Sequence, residues 1–95
     1  MAKIITVGAG VQDVFLSQSD ALTPVCESPE HCFAKLELGA KADVNQIHFS
    51  TGGGATNAAV TFARQGHEVM FMGVVGRDPA GQAVLDDLDA ENVDT

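Results

Sequence analysis

The stretch that most constrains this chain is Ser50-Thr51-Gly52-Gly53-Gly54-Ala55-Thr56-Asn57-Ala58-Ala59-Val60-Thr61-Phe62-Ala63-Arg64-Gln65-Gly66. Three glycines lead straight into a helical pattern, and a fourth ends it. From Ala55, the residues Ala58, Ala59, Phe62 and Ala63 recur at helical spacing. They predict a helix whose small-residue face lies close against a sheet. Gly66 falls where a helix ends on a left-handed residue. The polar residues Ser50, Thr51, Thr56 and Asn57 are expected around the first turn. Backbone N–H groups lack helical partners there and favour a polar or anionic ligand. Glycines ahead of a helix admit a ligand, or another backbone, more closely than side chains would. A plain strand-to-helix turn would use the same residues. No Gly-Lys-Ser/Thr follows, so the stretch is not a P-loop.

Residues 3–8 are rich in β-branched side chains, as in a buried parallel strand. Gly8-Ala9-Gly10 then begins like a dinucleotide fingerprint. Asp13 occupies the third glycine's place, and Val14, Phe15 and Leu16 continue without a helical pattern. Without a helix N-terminus a pyrophosphate has no seat, so a dinucleotide site is not expected.

The middle of the chain predicts an insert. Residues 17–32 are polar, contain Pro24 and Pro29, and suggest an irregular connection. Residues 33–38 alternate like a half-exposed strand, residues 39–43 suit a turn, and residues 44–49 suit a second strand. The pair forms a small antiparallel element, with His48 a structural or surface residue. Cys26 and Cys32 flank His31, but C-x5-C matches no common zinc pattern and a second ligand pair is missing. No metal site is expected, and the cysteines are expected to be loop thiols in a reducing compartment.

After Gly66, residues 68–75 form a nearly all-apolar strand. Asp78 suits an N-cap with Pro79 at the first helical position. A helix should follow over roughly residues 79–90, with Val84, Leu85 and Leu88 inward and Asn92 closing it. The order is strand, insert, helix, strand, helix, with a further strand expected near residues 93–95. Strands joined through a helix should be parallel. Two such strands need helices on both faces and further neighbours. The chain is therefore expected to be the N-terminal part of a larger α/β domain, with core residues 1–13 and 50–95 and an insert over residues 14–49.

Charge narrows the partners. Five Lys/Arg against thirteen Asp/Glu give a formal net charge of −8, which argues against nucleic acid and anionic membranes. The most apolar run, residues 69–75, is far shorter than the roughly 20 residues that span a bilayer. The N-terminus reads as a strand rather than a signal peptide, and a cytoplasmic location is expected.

In a doubly wound sheet, ligands bind beyond the carboxyl ends of the strands. Asp13 lies past the first strand, and the glycine turn enters its helix at that same edge. A carboxylate, a glycine platform and the Asn57 amide are thus expected over one pocket. Asp13 would accept hydrogen bonds from paired hydroxyls, and Asn57 offers both donor and acceptor. This chemistry suits a polyol or sugar.

These residues resemble the ribokinase-like carbohydrate kinases, the pfkB family. The resemblance covers nearly the whole chain. It rests on Val7-Gly8 through Asp13, on Gly52-Gly53-Gly54-Ala55-Thr56-Asn57-Ala58-Ala59 and on Ala63-Arg64-Gln65-Gly66. It continues through Gly73-Val74-Val75-Gly76-Arg77-Asp78-Pro79-Ala80-Gly81 and Glu91-Asn92-Val93-Asp94-Thr95. It implies a Rossmann-like α/β core with a small β lid over about residues 14–49. It also implies ATP as phosphoryl donor, Mg²⁺, and transfer to a sugar or nucleoside hydroxyl. Asp13, Gly53, Gly54 and Asn57 would contact the acceptor, and valine at Gly53 or Gly54 should not be tolerated. The lid strands would pack either on the lid of a second subunit, giving a homodimer, or over their own subunit. The family's catalytic Asp in Gly-Ala-Gly-Asp and its ATP and magnesium motifs have no counterpart in these residues. An Asn that some members carry on the first-strand loop is replaced by Val11 or Ala9. The residues 1–95 alone are therefore expected to be inactive. A dinucleotide-binding oxidoreductase fragment and a non-catalytic binding or self-association module are the alternatives.

Overall fold

A computed structural model describes residues 1–17 and 24–95, so part of the segment read as an irregular connection lies outside the described residues. The strands are β1 (Lys3–Val7), β2 (Val11–Ser17), β3 (Val25–Ser28), β4 (His31–Phe33), β5 (Gln46–Gly52), β6 (Glu68–Met72) and β7 (Val93–Asp94). The helices are α1 (Gly54–Arg64), between β5 and β6, and α2 (Pro79–Ala90), between β6 and β7. No described helix is long and apolar enough to cross a membrane.

The chain divides into two compact units, residues 1–13 with 49–95, and residues 14–48. The first is built on a three-stranded sheet of order β1-β6-β7. Both pairings are parallel, with Lys3 opposite Glu68 and Val7 opposite Met72, and Val69 opposite Val93. The parallel arrangement expected of strands joined through a helix is present. The strand expected after α2 is β7.

One face of this sheet meets both helices. Val69 and Phe71 of β6 and Val93 of β7 pack with Ala55 and Ala59 of α1 and Val84 and Leu88 of α2. Alanines on α1 let its backbone lie close to the strands, as the small-residue face predicts. Strand side chains alternate between faces, so Ile5, Val7, Met70 and Met72 point the other way and are exposed. Among the described residues both helices lie on a single face of the sheet.

Both helices end as their sequences dictate. Gly66 takes φ +92°, its N–H donates to Ala63 O, and the His67 N–H donates to Phe62 O. That pair of bonds is a Schellman motif, which satisfies carbonyls the helix leaves free. At α2, the Asp78 carboxylate accepts the Gly81 N–H at 2.8 Å, and Pro79 fills the first helical position. Asn92 closes α2 with φ 61°, a conformation that asparagine tolerates better than most residues.

The second unit corrects several expectations. In place of an irregular connection, β3 and β4 form an antiparallel hairpin through Pro29 and Glu30. Cys26 and Cys32 face each other across it and are joined by a disulfide, so they are not free loop thiols. Proline at the turn and the cross-link order a stretch with no buried apolar side chain. The strand expected over residues 33–38 ends at Phe33. Leu36 and Leu38 are strongly exposed, so the alternation has no core to face. The strand expected over residues 44–49 starts at Gln46 and runs on to Gly52. It forms a two-stranded sheet with β2. The Phe15 and His48 rings lie 6.1 Å apart, and His48 is exposed on β5.

Candidate functional site

The candidate site lies within the first unit, where glycine-bearing turns meet past the carboxyl ends of the parallel strands. The Gly8 N–H donates to Met72 O at 3.1 Å, tying the end of β1 to the end of β6. A Cβ on Gly73 would collide with the Gly8 carbonyl and the Phe71 ring, and β6 stops just before it, at Met72 rather than running to Val75. At Gly10, a Cβ would stand 3.0 Å from both Phe71 Cζ and Thr56 Cγ2. Gly73 thus lets its turn approach the Gly8 backbone, and Gly10 leaves room for the Phe71 and Thr56 side chains.

The third turn joins β5 to α1. A Cβ on Gly52 would lie 2.9 Å from Asp13 Cγ and closer still to one carboxylate oxygen, so the Asp13 carboxylate sits directly over this residue. Gly53 is the N-cap of α1 with φ 107°, and a Cβ there would strike the Ala9 carbonyl, 2.8 Å from its carbon. At Gly54, nothing lies within 4 Å of the place a Cβ would take, and the residue opens the helix without a left-handed backbone. A Cβ at Gly53 thus meets backbone, one at Gly52 meets the movable end of the Asp13 side chain, and one at Gly54 meets open space.

Asn57 donates its backbone N–H to Gly53 O at 3.0 Å, and its side chain is exposed. It lines a pocket of about 430 Å³ along with Ser50, Thr51, Thr61, Arg64 and Asp87, a pocket that Asp13 does not line. The structure therefore brings Asp13 onto the glycine turn and sets Asn57 toward the groove between α1 and α2. In that groove the Thr51 hydroxyl donates to Asp87. The Arg64 guanidinium pairs with Glu91 and, by hydrogen bonding, holds its carboxyl below the usual range.

Two polar residues expected at the helix start lie elsewhere. Ser50 and Thr51 belong to β5, because the strand runs up to the glycines. Thr56 is buried, and its hydroxyl turns back to Gly52 O at 2.6 Å and Gly53 O at 2.9 Å. α1 has no side-chain cap. The run Gly8-Ala9-Gly10 is followed by strand β2 rather than a helix, so it presents no helix N-terminus to a pyrophosphate.

Comparison with known proteins bears on this geometry. The model of the pfkB family carbohydrate kinases matches residues 21–95. A candidate sugar kinase of Pyrococcus horikoshii is 37% identical over 60 residues, covering 63% of this chain and 19% of that protein. The crystal structure of a candidate ribokinase from Agrobacterium tumefaciens matches with a TM-score of 0.65 and 28% identity, over 98% of this chain and 26% of the other. This chain thus spans about a quarter or less of the relatives it matches.

Proposed function

The chain belongs to the pfkB family of carbohydrate kinases, with the α/β fold of the ribokinase-like proteins, and from that premise we propose that it forms the acceptor-binding part of an ATP-dependent kinase. The reaction is transfer of phosphate to a hydroxyl of a sugar or nucleoside. The observation that carries this reading is the Asp13 carboxylate lying over Gly52 where the glycine turns converge. An exposed carboxylate beside a platform without side chains suits paired hydroxyls, because it accepts two hydrogen bonds while the sugar lies against backbone. Asp13, Gly53, Gly54 and Asn57 are the proposed acceptor contacts. The chain's contribution is to hold and orient the acceptor, the positioning on which phosphoryl transfer depends. About residues 14–49 would act as a lid that excludes water.

ATP and magnesium are what the family implies for the whole protein. Among the described residues, no group of three or more His, Cys, Asp or Glu side chains is placed to hold a metal ion. The role proposed for these residues is confined to the acceptor. Incubating the whole protein with ATP, magnesium and a panel of sugars and nucleosides tests the proposal. At least one phosphorylated product is expected by mass spectrometry, and none from residues 1–95 alone. A panel without product would contradict the kinase reading. Product from the isolated residues would contradict the division of labour.

A further inference from the structure

Thr56 is the one polar residue of α1 that is buried, with 1% of its surface exposed. Its hydroxyl lies 2.6 Å from Gly52 O and 2.9 Å from Gly53 O. A threonine inside a helix often returns its hydroxyl to the carbonyl four residues back, and there the bond merely duplicates what the helix already has. Here the carbonyl four residues back belongs to the last residue of β5, and the one three back belongs to the N-cap. The bond therefore spans the turn itself. A hydroxyl has one proton, so it is shared between the two carbonyls. On its other side, the Thr56 methyl group lies 3.0 Å from where a Gly10 Cβ would stand. One side chain thus touches the turn that underlies Asp13 and the turn that leads into it.

We infer that Thr56 is a positioning residue for the acceptor site, holding the Gly52-Gly53 turn in place beneath Asp13. The inference rests on the proposed acceptor role of Asp13. Thr56 itself is buried and its proton is engaged, so it does not bind the acceptor. Its hydroxyl fixes the carbonyls of Gly52 and Gly53 at a junction where Gly53 has no side chain to act as a cap. Loss of the hydroxyl leaves the turn free to shift relative to Asp13, and a small misplacement of a binding group is costly in a positioned reaction.

The test compares Thr56→Val, which keeps the shape and removes the hydroxyl, with Thr56→Ser, which keeps the hydroxyl and removes the methyl. In the whole protein, Thr56→Val should raise the acceptor KM about tenfold, the effect of one lost hydrogen bond, and leave the ATP KM unchanged. Thr56→Ser should restore the acceptor KM. Amide hydrogen exchange provides a readout that needs no activity: the Asn57 amide, which donates to Gly53 O, should exchange faster in Thr56→Val than in Thr56→Ser. Equal exchange in wild type and both variants would overturn the inference, even if the protein phosphorylates no acceptor. So would equal impairment of KM in the two variants, which would assign the effect to packing. Absence of any acceptor with the turn still loosened in Thr56→Val would overturn the kinase reading and leave the staple standing.

Discussion

Gly53 bears two demands that no other residue type meets together. Its φ of 107° lies in the region where side chains are strained, and the Ala9 carbonyl occupies the space a Cβ would need. Gly53→Val should therefore lower the melting temperature sharply and abolish acceptor binding. Gly54→Ala should leave the melting temperature unchanged, because its Cβ meets open space. If Gly54→Ala keeps the fold but loses acceptor affinity, the open space is where the acceptor lies. Thermal unfolding and binding calorimetry on both variants separate these effects. The run of three glycines signals a close approach in the sequence. Which of them is indispensable depends on φ and on the position of Ala9, neither of which local sequence encodes. The same holds for Thr56. Its place beside Asn57 suggests a ligand-facing hydroxyl, and only the burial of the first helical turn shows where that hydroxyl goes.

The elements most legible in the sequence are those with local signals. α1 has its alanine face and Gly66, and α2 has Asp78, Pro79 and Asn92, so their limits follow from capping chemistry. The insert is less legible because its order comes from a cross-link and a proline turn rather than from hydrophobic alternation. An isolated two-stranded hairpin is marginal in water, and β3 and β4 bury no apolar side chain of their own. The Cys26–Cys32 bond is exposed on both partners. Disulfides persist in oxidising surroundings and are rare where thiols are kept reduced. Treatment with a dithiol should therefore speed amide exchange across residues 25–33 and leave β1, β6, α1 and α2 unchanged. Unaltered exchange in the hairpin after complete reduction would show that the cross-link does not order it.

At the scale of the whole molecule, the sheet has a covered and an uncovered face. Ile5 is 59% exposed and Met72 52%, whereas parallel sheets are ordinarily buried on both sides. The chain corresponds to 26% of the ribokinase-like structure it matches, and helices on the second face are a proposal for the whole protein. A homodimer through residues 33–49 is a second proposal. Phe33, Ile47 and Phe49 are about half exposed, and short strands need a partner surface. Light scattering should report a dimer for the whole protein and a monomer for Phe49→Asp. Identical monomeric masses would rule out assembly through these strands.

Everything proposed for the site turns on Asp13 binding the acceptor, and the steady-state kinetics of Asp13→Ala in the whole protein test that most directly. Losing a charged hydrogen-bond partner costs about 1.5–3 kcal/mol, roughly a ten- to hundredfold change. The acceptor KM should rise by that factor while the ATP KM and the melting temperature stay at their wild-type values. An unchanged acceptor KM would contradict the assignment.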